Sequence, residues 1–206
     1  MKNIYTFVLC ILIFWLTASC EKPNQAASHE DLQAKNEKFK DFAAKFPNET
    51  KTLPATFGEE WLDRQISPVK IDSFECNYFI YGNLVLNHQL LISGSDEKEK
   101  ELDKTKSYYI ISKIPLGQNF VSLIISDLEK DATSTYLLNF SQKGNYISGI
   151  LIQGRYILQD GTTSNKITRE SVVSDSQMIL CQEKLVGRNK FVNYDISLEG
   201  KILHRN

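Results

Sequence analysis

The chain has 206 residues, with 24 Lys+Arg against 25 Asp+Glu and a formal net charge of −1. That balance lacks the basic stripe that phosphate recognition needs, so no nucleic-acid partner is expected. The four cysteines, at positions 10, 20, 76 and 181, are too scattered for a zinc or iron–sulfur motif, and neither a metal nor a cofactor is expected.

Lys2 gives a short positive start, Ile4 to Leu16 form a nearly unbroken apolar run, and Thr17, Ala18 and Ser19 lead into Cys20. A positive start, a short apolar core and a small-residue exit describe a secretory signal. The run is shorter than the roughly 20 residues a spanning helix needs. The stretch Leu16-Thr17-Ala18-Ser19-Cys20 resembles the lipobox of bacterial lipoproteins, although Thr17 stands where that family usually has leucine. The resemblance implies cleavage before Cys20, diacylation of its thiol and acylation of the new amino terminus, and hence membrane attachment through lipid. Glu21, rather than aspartate, follows the cysteine, which by the same resemblance favours the outer over the inner membrane of a bacterial envelope. The expected organisation is a signal at 1–19, a lipidated cysteine and tether at 20–30, and a single β-rich domain with a helical lead-in at 31–206.

The tether, EKPNQAAS, is polar and small-residue-rich. Ser28 and Asp31 supply a helix start. Leu32, Phe39, Phe42, Ala43 and Phe46 then recur at helical spacing, which predicts one apolar stripe packed on the domain, ended by Pro47. The Phe46-Pro47 to Phe57 segment reads as irregular, and a short helix is expected over 59–65 around Trp61 and Leu62. This arrangement ahead of a β-rich half resembles uncharacterised envelope lipoproteins of the Bacteroides group. The resemblance implies an envelope location and carries no activity and no site residue.

Cys76 to Ile92 is dense in β-branched, aromatic and leucine residues and predicts strand, bent at Gly82-Asn83. The charged run from Ser93 to Lys106 reads as a solvated loop. Strands are expected at Tyr108–Ile114 and Phe120–Ser126, then at Thr135–Ser141 and Tyr146–Tyr156 around the Gln142-Lys143-Gly144-Asn145 turn. A further strand is expected at Val172–Cys181, a connection at Lys184–Lys190, and a final pair at Phe191–Leu198 and Ile202–Leu203. The predicted fold class is α+β, mainly antiparallel β: a curved meander or partial barrel with one or two N-terminal helices.

No nucleophile elbow, zinc-protease helix, P-loop or dinucleotide fingerprint occurs. His88 interrupts an apolar run but reads as a solvent-facing or locally hydrogen-bonded residue. Glu75, Asp127, Asp160, Asp175 and Asp195 offer carboxylates without a reason to pair any two of them. Cys76 and Cys181 are open to two readings, a disulfide worth about 4 kcal/mol in the chain-entropy picture, or two separate buried thiols. The expected function is a non-enzymatic, lipid-anchored envelope protein that binds a small ligand or serves as a structural accessory. The alternatives are a subunit of an envelope protein assembly and a carboxylate-dependent hydrolase.

Overall fold

In the computed structural model the described residues are 29–49, 53, 55–58, 69–81, 85–87, 99–102, 104–127, 133–160, 163–185 and 187–205; side chains at 29–32, 85–87, 99–101, 156–165 and 185 are not described. The chain divides into two compact units, residues 1–34 and 35–206. Of the first unit only the opening of helix α1 (His29–Ala44) is described.

The part of α1 in the second unit carries the apolar stripe expected of it. Phe39, Phe42 and Ala43, with Phe46 just beyond the helix, are all buried. Their spacing of three, one and three residues puts them on one helical face. Phe42 stacks on Phe79 at 4.7 Å and Phe39 meets Phe140 at 5.3 Å between ring centroids. Each such ring contributes about 2–3 kcal/mol of apolar burial. Lys45 and Phe46 donate their amides back to Phe42 and Ala43 at 3.2 and 3.3 Å, tightening the last turn before Pro47.

The segment opening at Cys76 corrects the strand expected there. Ser73–Glu75 forms one helical turn (α2), and Cys76–Ile80 continues it as a π-helical turn. Asp72 has extended backbone, and its side chain accepts the Glu75 amide at 2.8 Å, capping the turn. That hydrogen bond is also the main reason the Asp72 carboxyl lies below its ordinary range. The helical course buries Cys76, Phe79 and Ile80 together against α1, a grouping that strand alternation would split. The helix expected over 59–65 lies outside the described residues.

The strands are β1 (Ala55–Phe57), β2 (Val69–Lys70), β3 (Val85–Asn87), β4 (Glu99–Glu101), β5 (Tyr108–Ile114), β6 (Phe120–Asp127), β7 (Ser134–Ser141), β8 (Tyr146–Asp160), β9 (Thr163–Val173), β10 (Met178–Leu185), β11 (Arg188–Ile196) and β12 (Ile202–His204). They form one sheet in the order β12-β11-β10-β9-β8-β7-β6-β5-β2; β1 adds to β9, and β3 pairs with both β4 and β8. All pairings of named strands are antiparallel except β3 with β8. The path is open, so the expected meander is present and no closed barrel forms. Several boundaries differ from expectation: β4 lies within the charged run read as a loop, and most of β9 precedes the strand expected from Val172. The predicted Val172–Cys181 strand is broken by a turn at Ser174–Gln177, and the predicted connection at Lys184–Lys190 is mostly strand. A short strand and a bridge, Asn48 to Lys113, also order the segment expected to be irregular.

β8 explains the layering. Its first part, Tyr146 to Gly154, pairs with β7, whereas Gly154 to Asp160 pairs with β9. Alternate residues therefore serve two cores. Leu123, Ile125, Tyr136, Leu138 and Leu151 meet the α1 and π-turn residues, while Ile124, Leu137, Ile150 and Ile152 meet Val173, Ile179, Cys181, Val192, Tyr194 and Ile196. The β5–β8 portion is thus buried on both faces, with helices on one side and the β9–β12 portion folded over the other.

The turns lock onto this body. Gly144 has φ +77°, and a Cβ there would stand 2.5 Å from the Phe39 side chain. Gly200 has φ +87°, and its carbonyl accepts Asn139 Nδ2 at 2.8 Å and Ser148 Oγ at 2.7 Å. Only glycine supplies such backbone angles without steric cost.

Candidate functional site

Pro47 to Glu49 runs beside β5. Lys113 donates its amide to the Pro47 carbonyl at 2.7 Å, and Glu49 donates to the Lys113 carbonyl at 2.8 Å. Next to this bridge, the β5–β6 connection turns through Pro115 and Gly117, and the ring of Phe120 lies so close to Gly117 that any Cβ there would stand 2.3 Å from it. Between the two segments is a cleft of about 240 Å³. It is lined by Asn48, Glu49 and Lys113 on the polar side and by Pro115, Phe120 and Val121 among the apolar residues.

The cleft is smaller than the ~300–1,000 Å³ of drug-sized pockets. Ser122 also lines it, and the Ser122 hydroxyl donates to Asn139 Oδ1 at 2.8 Å. Chemically, this arrangement suits holding a small ligand with both charged and apolar parts. Among the described residues, no hydrogen bond joins a nucleophile to a histidine or carboxylate in this cleft.

The described carboxylates among those singled out in the sequence, Glu75, Asp127, Asp175 and Asp195, stand in separate settings. Asp127 is fully buried; it accepts Lys106 Nζ at 3.1 Å and Tyr136 Oη at 3.5 Å, and it accepts the Ser134 amide. Glu75 closes α2 and pairs with Lys45. Asp175 sits in the exposed β9–β10 turn. Asp195 projects from β11, 3.8 Å from Arg205. The Asp160 side chain, His88 and Cys20 lie outside the described residues. His204 stands edge-on to Tyr194 at 5.6 Å. Among the described residues, no group of three or more His, Cys, Asp or Glu is placed to hold a metal ion.

Cys76 and Cys181 are both free and buried. They belong to different cores, Cys76 under the helices and Cys181 between the sheet portions, so the disulfide reading is replaced by that of two separate thiols. Burial pushes both thiols above their usual range, which makes them poor nucleophiles.

Sequence reasoning missed a buried ionic group. Arg169 on β9 and Glu183 on β10 face each other in register, and both side chains are fully buried. Arg169 Nε and Nη2 reach Glu183 Oε1 at 3.0 and 2.6 Å, and Nη1 donates to the Leu151 carbonyl at 3.1 Å. The signal was present: Arg169 is in phase with Ile167 and Val173, and Glu183 with Ile179 and Cys181, all of them inward positions. Two charges at alternating core positions on adjacent strands mark a buried pair.

Comparison of the chain with known protein families, with curated proteins and with solved structures finds no match.

Proposed function

We propose that the chain is a non-enzymatic, lipid-anchored protein of a bacterial envelope, attached through Cys20, that binds a small ligand in the cleft beside the β5–β6 turn. The observation that carries the anchor is the apolar run from Ile4 to Leu16, ending in Thr17-Ala18-Ser19-Cys20 and followed at once by polar sequence. Two or more acyl chains hold a protein stably at a bilayer, where one chain alone is marginal. The outer membrane is the proposed location. The cleft supports the binding part, because charged residues of both signs and apolar residues line it together. A ligand of matching chemistry is small and zwitterionic, with one apolar group.

Mass spectrometry of the N-terminal peptide from membrane-extracted protein tests the anchor. A peptide starting at Cys20 with two or three acyl chains is expected, and a C20A variant should lose both cleavage and lipid. An unmodified peptide would overturn the anchor. The cleft is tested separately by calorimetry against amino acids and short peptides. Any binding found there should be weakened at least tenfold by N48W, which fills the cleft from an exposed position.

A further inference from the structure

The π-turn that buries Cys76, Phe79 and Ile80 leaves two other rings in water. Phe74 is 60% exposed and Tyr78 38% exposed. Their ring centroids stand 5.8 Å apart, with planes 16° from parallel. Lys38, exposed on α1, holds its Nζ over both rings, 5.7 Å from the Phe74 centroid and 5.5 Å from that of Tyr78. This platform is fastened to the core from behind. Tyr78 meets Phe79 edge-to-face at 4.8 Å, and Phe79 stacks on Phe42 of α1. Two exposed rings held together, unlike apolar residues scattered singly, mark a contact surface, and single π-turns recur at functional sites.

Two observations select the occupant. The first is chemical. Phe74 offers an apolar face, Tyr78 an apolar body with a polar tip, and Lys38 an apolar stem ending in an ammonium. That set suits a bilayer interface, with rings at headgroup level and the cation at the phosphates. Glu37, Asp41 and Asp72 are also exposed within a few residues, so the rings rather than net charge must carry the contact. The second observation is covalent. α1, which bears Lys38, is the first described element after Cys20; His29 follows Cys20 by nine residues and Lys38 lies nine further on. At ~3.5 Å per fully extended residue and 1.5 Å per helical one, that path spans at most about 45 Å. With Cys20 acylated, the patch is held close to one bilayer, and a contact too weak to hold a free protein becomes populated.

We propose that the Phe74–Tyr78 platform, with Lys38, is a second membrane contact that rests on the phospholipid surface to which Cys20 is anchored and fixes the orientation of the domain there. The rings enter the headgroup layer, and Lys38 Nζ reaches lipid phosphate. This contact presupposes the acylated Cys20 proposed above. A second copy of the chain is the competing occupant.

The full acylated chain would be reconstituted into phosphatidylcholine vesicles brominated high on the acyl chains, with quenching of tryptophan fluorescence as the readout. F74W, a conservative change at an exposed position, should be quenched at least twofold more than the parent chain. F191W, at an equally exposed position on β11 (61%), should match the parent. K38E or Y78S, added to F74W, should reduce the extra quenching at least twofold. Raised salt, or anionic lipid in place of part of the phosphatidylcholine, should change it less than twofold. Mass spectrometry of the same sample reads the acylation of Cys20. If Cys20 is unacylated, the anchor fails; coupling the mature chain through the Cys20 thiol to a maleimide phospholipid then tests the platform alone, since Cys76 and Cys181 are buried. Quenching of F74W no greater than that of the parent, or equal quenching of F74W and F191W, would overturn the proposal. So would protection of F74W from aqueous iodide that grows with protein concentration in the absence of lipid, which would assign the platform to a second copy.

Discussion

The fully buried Arg169–Glu183 pair is the costliest single feature to break. Removing one partner takes the bidentate counterion away from a fully buried charge, a loss of about 3–5 kcal/mol. Urea unfolding of R169M should show that drop, and R169M/E183L should recover much of it, because the apolar pair buries no charge. Tyr194 behaves in the opposite way. Its hydroxyl is buried without a hydrogen-bond partner, and burial pushes its pKa up to about 12. Y194F should therefore cost less than about 1 kcal/mol at neutral pH, since the hydroxyl's desolvation penalty disappears with it. The pH dependence follows from the raised value. Below the unfolded pKa near 10 both states keep the proton. Between about pH 10 and 12 only the unfolded chain releases it, so stability falls by about 1.4 kcal/mol per pH unit from this group. Chemical denaturation at pH 9 and 11 should show a smaller decline in Y194F than in the parent chain.

At the scale of elements, the short helix before the π-turn depends on its cap. D72A removes the side-chain acceptor of the Glu75 amide and should destabilise by about 1 kcal/mol, read from the midpoint of thermal or urea unfolding. This helix also shows where sequence reading stops. Cys76-Asn77-Tyr78-Phe79-Ile80 has the composition of a strand, and propensity alone assigns it so. What overrides it is tertiary: Phe79 and Ile80 reach the α1 rings only on a helical course. In contrast, β5, β6 and β7 were legible nearly to the residue, because apolar side chains at both parities still end abruptly at Pro115, Gly117 and Gly144. The β9–β10 boundary was obscured by apolar residues on both sides of Ser174-Asp175-Ser176-Gln177, where the turn is held by Gln177 Nε2 donating to the Leu116 carbonyl at 2.7 Å, a contact 61 residues away in sequence. The cleft was illegible for the same reason, since Pro47 and Glu49 meet Lys113 through backbone bonds that no motif announces.

For the whole molecule, the two cores share β6, β7 and β8, so neither can be lost while the other stays intact. Unfolding should be a single transition by far-ultraviolet circular dichroism and by tyrosine fluorescence, with coincident midpoints. The thiols provide a further check. In denaturant, Cys76 and Cys181 should both react with an alkylating reagent without prior reduction, and in native buffer both should be protected. The hairpin ends differ in what they allow. The turns at Gly144 and Gly200 press against Phe39 and Phe120, so added residues there would pry the cores open. At Gly187 a Cβ would meet nothing within 4 Å. That hairpin tip is consequently the place where the chain can accept foreign sequence: a peptide tag of ten residues inserted there should leave the melting temperature within a few degrees, whereas the same insertion at Gly144 should abolish folding. The molecule thus carries its own port for a label or a fused domain, at the end of the protein where an accessory is least in the way of its cores.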